Sequence, residues 1–351
     1  MKQYHVWIDN ARVIGIFAIV LGHVLPKSEL RSYLYSFHVP LFFFLSGCVF
    51  YLKGESYRTF LKEKAKRLLV PYSSFALISI CIYFVLGELV QIIPTTRNDI
   101  DNITTELIEM LLGYCDCNTP LWFLPSLYLC IAICFPLISI GTQIRSLKRK
   151  ICYWCGIIVI SFSWLLVDEV FIQCYHLPYK LELVLHMLSM FMLGYLFVNS
   201  GVLVKAEQLT GNRKAVLGTT LLFAGAYLSS INDTVAYTSE YYGNPIIYYV
   251  SALCSIFGIS VSCMLFHGHS GIRYISKRTL AILVMHKFPV LFFQVIPFTR
   301  NSIVQAPLFA GCIIAVASIV MCLIAQKIIS NMCPSVLGED NRLGYRRSQR
   351  K

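Results

Sequence analysis

The chain has 351 residues, 57% of them hydrophobic and 14% charged, and a formal net charge of +12. Soluble domains carry roughly 25% charged residues, so this composition excludes an ordinary soluble fold. The positive balance would also suit nucleic acid, but the basic residues sit in alternate segments between apolar runs, a pattern that reports orientation in a bilayer, and no nucleic-acid partner is expected.

A membrane-spanning helix needs about 20 mostly apolar residues. Such runs lie at roughly 6–24, 33–52, 68–90, 119–140, 151–170, 181–199, 214–231, 245–266, 279–298 and 307–330. They predict an all-α fold, a polytopic integral membrane helical bundle of about ten transmembrane helices over 1–333. The basic tail at 334–351 is expected to be disordered or to rest on anionic membrane lipid. The first run follows a thin basic stretch, contains Arg12 and has no small-residue cleavage site before Pro26, so it reads as a helix rather than a signal peptide. The longest non-spanning stretch, from about 91 to 118, is acidic. Apolar spacing within 103–113 predicts a short amphipathic helix there, with a solvated loop as the alternative.

One set of alternate segments holds 23 of the 30 basic residues, including Lys64, Lys66 and Arg67. The other set holds Lys27, Arg31, Arg97, Lys180 and Arg300, while Arg12 and Lys287 fall inside the first and ninth runs. The positive-inside rule makes the first set cytoplasmic, which predicts a multi-pass protein of the cell (inner) membrane with both termini in the cytoplasm. Of the fourteen cysteines, only Cys115, Cys117 and Cys174 fall in outer loops, and a disulfide among them is open. His267 and His269 lack a third ligand, and Cys115 and Cys117 lack the spacing of a zinc site, so no metal is predicted.

Ionisable groups inside spans are expensive and mark candidate sites. In "WIDNARVIGIFAIVLGHV", Arg12 and His23 are eleven positions apart. At 100° per residue they return to within about 20° of one face, roughly 16 Å apart along the axis. Asp9 is placed to pair with Arg12. The plainer alternative has Arg12 snorkelling to headgroups and His23 capping the helix end. His38, near the outer end of the second run, either orients an acceptor and supports the first imidazole or bonds a neighbouring backbone carbonyl. Ser46 and Gly47 read as small residues that let the second helix approach the first. Trp122 and Phe123 open the fourth run as an interfacial anchor or a sugar-stacking platform. His286 and Lys287 lie mid-way along the ninth, and a lysine there needs water or a partner, so this helix is expected to line a cavity.

Several of these segments together resemble one family. An arginine, ten residues and a histidine in the first run, "SFHVPLFFFLSG" in the second, "LKEKAKRLLVPY" leading into the third, "PLWFLPSLYL" in the fourth and "TLAILVMHKFPV" in the ninth are similar to the ordered motifs of the acyltransferase-3 family of membrane acyltransferases. Leu283 stands where that pattern has tyrosine, and Lys64 where it has arginine. The resemblance implies transfer of an acyl group, usually acetyl, from cytoplasmic acyl-CoA to a hydroxyl on an extracytoplasmic acceptor, commonly a sugar of a surface polysaccharide or glycolipid. It implies a catalytic set of His23, Arg12, Asp9 and His38, with Arg12, Lys64, Lys66 and Arg67 receiving the phosphates of acetyl-CoA. Trp122, Phe123, His286 and Lys287 would then face the acceptor. An imidazole suits proton removal because its pKa lies near working pH, and His23 either acts as base or is transiently acylated. The alternatives are a transporter or flippase of a glycolipid or small metabolite, for which paired broken helices in two similar halves are lacking, and a non-catalytic sensor.

Overall fold

The computed structural model describes residues 5–85, 102–171, 177–237 and 239–339. Arg97, Cys174 and the basic residues of 340–351, all invoked above, lie outside the described residues. Among the described residues the regular structure is helical, with one isolated β-bridge between Ala236 and Tyr241.

Helix α1 (Val6–Val24) stops at Leu25, ahead of Pro26, because the residue before a proline is pushed out of the helical region. Helix α2 (Glu29–Cys48) begins four residues before its apolar run, since the Ser28 side chain accepts from the Arg31 amide as an N-cap. Helix α3 (Tyr57–Val85) begins well before the expected apolar start at 68. The stretch "LKEKAKRLL" is made of strong helix formers, so the basic segment expected as a loop is helix instead. Helix α4 (Ile103–Leu112) is the short helix expected on the outer side, capped by Asn102 at one end and by left-handed Gly113 at the other. A 3-10 turn, Asp116–Trp122, leads into α5 (Phe123–Gln143). Helices α6 (Leu147–Phe171), α7 (Leu181–Asn199), short α8 (Val202–Gln208), α9 (Gly211–Ser230) and α10 (Pro245–Cys263) follow, then short α11 (Ser270–Ser276).

The ninth apolar run is not one uniform helix. It forms α12 (Thr279–Met285) and α13 (Lys287–Val295), parted at His286, and α14 (Pro297–Gln305) precedes α15 (Pro307–Met332). Pro289 has no N–H to offer the Met285 carbonyl, which interrupts the bonding there. Residues expected in the disordered tail are partly folded. Pro334–Leu337 form a 3-10 turn with Leu337 buried, and Ser330 donates to the Glu339 carboxylate.

Among the described residues, seven helical stretches are long and apolar enough to cross a membrane: Val6–Val24, Tyr57–Val85, Ile103–Gln143, Leu147–Val167, Pro178–Asn199, Pro245–Cys263 and Pro307–Met332. Helices α2 and α9 are each 20 residues long but less apolar, and the ninth run is divided, so length and composition support fewer spans than the ten expected. Large apolar side chains are exposed along the helices, among them Ile160, Phe223 and Phe309 at 72–73%, which suits lipid contact. The chain is therefore a multi-pass membrane protein.

The chain divides into two compact units. The first comprises the described residues of Met1–Lys53, Cys130–His176 and Glu182–Thr279, and the second those of Gly54–Leu129, Leu177–Leu181 and Leu280–Lys351. Small residues set the packing of the first unit. Gly47 of α2 and Gly194 of α7 face one another's helix, Gly47 directly under the Phe191 carbonyl and Gly194 under that of Phe44. So Gly47 serves the approach of α2 to α7, whereas the contact with α1 uses Gly15 against Leu41 and Phe42 and Gly22 against Tyr35. Ser46 donates back to the Phe42 carbonyl within its own helix. Helices α9 and α10 meet through Gly218, Gly225 and Gly258 with Ser251 donating to the Gly225 carbonyl, the close approach expected of membrane helices. In the second unit the turn at Pro334–Leu337 packs on α3, and left-handed Gly338 lies against the Lys66 carbonyl.

Candidate active site

Arg12 and His23 sit on α1 and are both half-buried. Asp9 is buried at the start of the same helix and accepts a hydrogen bond of 2.6 Å from Ser276 of α11. Beside it, Asn10 donates to the Cys263 carbonyl at the end of α10, so the N-terminal end of α1 is fastened to two other helices. At the far end of α1, His23 Nδ1 lies 3.4 Å from the Tyr35 hydroxyl. Gly22 makes this possible, since a Cβ there would lie 3.0 Å from the Tyr35 ring.

Tyr35 stands between two imidazoles. Its ring is 6.0 Å from that of His23 and 4.9 Å from that of His38, edge-on to both, and the Arg31 guanidinium lies 5.3 Å from its centre. His38 is buried and its Nδ1 donates to the Leu34 carbonyl at 2.7 Å. The backbone-bonded reading of His38 is thus observed, and a histidine tied to its own backbone through Nδ1 carries its lone pair on Nε2. The other side of His38 meets Tyr237, from the loop between α9 and α10, at 5.7 Å. Tyr237 donates to the Tyr35 carbonyl at 2.8 Å and touches the Tyr248 hydroxyl at 3.4 Å. Burial holds the Tyr237 phenol well above its ordinary pKa, so it remains a neutral donor. In this unit the fold thus places Arg12 and His23 on one helix and brings His23 and His38 to either side of Tyr35. Tyr35 and Tyr237 carry no sequence signal of this role, one being an ordinary helical tyrosine and the other a loop residue about 200 positions away.

The remaining candidates belong to the second unit. Lys64 is half-buried with its ammonium 5.3 Å from the Phe60 ring, while Lys66 and Arg67 are exposed on α3. Trp122 is buried at the end of the 3-10 turn, ahead of α5 and not within it, and stacks edge-on with Phe123. The Lys180 ammonium lies 5.8 Å from the Trp122 ring and 5.2 Å from that of Tyr114, a cation–π contact that sequence spacing did not disclose. His286 is fully buried and donates through Nδ1 to the Leu283 carbonyl. Lys287 is half-buried and reaches the Asp116 carbonyl at 3.3 Å, which supplies the partner an intramembrane lysine requires. Asn118 is buried between α3 and α12, donating to Ser79 and to the Val284 carbonyl. Tyr72 of α3 places its hydroxyl against the Met110 and Tyr114 carbonyls. Tyr72 and Asn118 thus help pin the 110–118 segment. Cys115 and Cys117 are free thiols, and Cys174, their remaining outer-loop candidate partner, lies outside the described residues.

The acyltransferase-3 model, described as an acyltransferase domain, matches residues 5–326. The chain belongs to that family. The match begins just ahead of α1 and runs through most of α15, so it includes every candidate site residue. Among curated proteins and among solved structures, none matches the chain. This membrane acyltransferase thus has its family from the whole length of the bundle, not from a single motif.

Proposed function

We propose that the protein moves an acyl group, acetyl in the first instance, from cytoplasmic acyl-CoA to a hydroxyl of an extracytoplasmic acceptor, a sugar of a surface polysaccharide or glycolipid, with His23 as general base. The observation that carries this reading is the setting of His23. It shares α1 with Arg12, and its Nδ1 faces the Tyr35 hydroxyl. If Nδ1 keeps its proton toward the Tyr35 oxygen, Nε2 holds the lone pair that a base needs.

Nε2 then takes the proton of the acceptor hydroxyl as that oxygen attacks the thioester carbonyl. The tetrahedral intermediate collapses, the carbon–sulfur bond breaks, and the departing CoA thiolate recovers the proton from the imidazolium. His38, with Nδ1 committed to the Leu34 carbonyl, accepts through Nε2 and orients the acceptor. Asp9 positions the α1 end through Ser276, and Arg12, Lys64, Lys66 and Arg67 receive the CoA phosphates. Trp122 and Phe123 offer an apolar face to the sugar ring, and His286 with Lys287 completes the acceptor side. This scheme takes the bundle as about ten spans in the inner membrane with cytoplasmic ends, adding α2, α9 and the divided ninth run to the seven apolar helices.

The test is transfer of labelled acetyl from acetyl-CoA to surface glycan in membranes carrying the wild type, His23→Ala or Arg12→Ala. Expected are loss of transfer with CoA binding retained in His23→Ala, and weakened CoA binding in Arg12→Ala. Full turnover in both variants would overturn the mechanism, and absence of acyl-CoA binding by the wild type would overturn the donor.

A further inference from the structure

We propose that Glu106, Glu109 and Asp116 form a site for a hard divalent cation of the calcium or magnesium class, bound on the outer segment and independent of the acyl-transfer chemistry. Oxygens of these three carboxylates lie within 4.8 Å of one another. Oxygens around a single calcium, each 2.3–2.6 Å from the ion, are themselves separated by at most about 5 Å, so the spread matches one coordination shell.

The helix that carries two of them is turned the unusual way round. On α4 the apolar Ile108 and Leu111 are 54% and 70% exposed, whereas Glu106 is only 3% exposed. An ionised carboxylate is costly to bury without compensation, so the buried acidic side of this helix calls for a proton or a positive partner. Glu106 Oε2 is buried with no hydrogen-bond partner. Lys287 is the neighbouring cation, and its ammonium is directed at the main-chain carbonyl of Asp116. Glu106 thus presents a buried carboxylate oxygen that no donor satisfies.

The chain is built to bring these groups together. Left-handed Gly113 ends α4 and reverses the chain, and a side chain there would collide with Tyr179. Tyr72 holds the Met110 and Tyr114 carbonyls on either side of the reversal. Asp116 thereby returns beside Glu106 and Glu109, which are one helical turn apart. Glu109 and Asp116 are half-buried, so an ion reaches Glu106 past two carboxylates that are themselves partly in solvent. All-oxygen donors favour calcium or magnesium over softer metals. Neither histidine nor cysteine spacing discloses such a site, because its donors converge only in the folded segment.

The test uses the full-length protein purified in detergent and stripped with EDTA. Equilibrium dialysis with radioactive calcium, and a parallel magnesium arm read by competition, measures binding, while the unfolding temperature is followed by tryptophan fluorescence. Expected are about one saturable ion per chain, a rise in unfolding temperature with the ion, and at least about tenfold weaker binding in Glu106→Gln and in Asp116→Asn. Asp116 is half-buried, so its variant remains informative if Glu106→Gln fails to fold. No saturable binding of either ion, binding of zinc alone through Cys117, or calcium binding unchanged in both variants would overturn the proposal.

Discussion

The glycine pair between α2 and α7 offers a prediction whose size can be worked from the coordinates. In Gly47→Ala the new Cβ would lie 2.9 Å from both the Phe191 carbonyl carbon and the Tyr195 nitrogen, and nearer still to the Phe191 oxygen. Ordinary carbon contacts fall at about 3.5–4.0 Å, so the helices must separate by roughly an ångström. Backbone atoms cannot swing aside as a side-chain tip can, and overpacking of this kind costs about 1–3 kcal/mol. That corresponds to a fall of roughly 1–4 °C in unfolding temperature, measured on detergent-purified protein. Gly194→Ala, whose Cβ would lie 2.8 Å from the Phe44 carbonyl carbon, should match it. Because one separation of the helices relieves both clashes, the double variant should lose clearly less than the sum of the two. Gly156→Ala supplies the control. It also lies within a helix, but nothing stands within 4 Å of its would-be Cβ, so alanine should be neutral or stabilise by up to about 1 kcal/mol. Equal unfolding temperatures for Gly47→Ala and Gly156→Ala would refute the close-packing argument.

The other predictions concern the site and the outer segment. Tyr35→Phe removes the hydroxyl opposite His23 Nδ1, a contact worth about 1 kcal/mol, so acetyl transfer should fall roughly five- to tenfold in kcat with KM for the donor unchanged. An altered pH profile of kcat should accompany it, and an unchanged rate and profile would remove Tyr35 from the reaction. Tyr72→Phe leaves two backbone carbonyls without their hydroxyl donor, which should cost about 1–3 kcal/mol locally and speed hydrogen exchange across α4 relative to α10. Reporter tags after residues 55 and 112 should face opposite sides of the membrane, and the same side for both would overturn the loop assignment.

Sequence alone determined the class of this protein. Apolar runs and charge density are local properties, so the helices at Val6–Val24, Leu181–Asn199 and Pro307–Met332 match their runs closely, and the spacing of Arg12 and His23 follows from helical geometry without tertiary information. Ordered motifs along the chain were likewise enough to anticipate the acyltransferase family. Hydropathy was a poorer guide where helix propensity or capping decided the outcome: Ser28 starts α2 early, the basic stretch before Pro71 is helical, and Pro289 divides the ninth run.

Partners far apart in the chain were decided only by the tertiary structure. Gly47 was legible as a packing residue, but its contact is with α7 rather than α1, because a small residue announces a close approach without naming the helix that makes it. Asp9 was expected to serve Arg12 on the same helix, and the fold adds Ser276, 267 residues away. Tyr35 between His23 and His38, Tyr237 behind them, and the convergence of Glu106, Glu109 and Asp116 depend on rotation of helices and reversal of loops. Those are set by the sum of many non-local contacts, and no local pattern of residues encodes them.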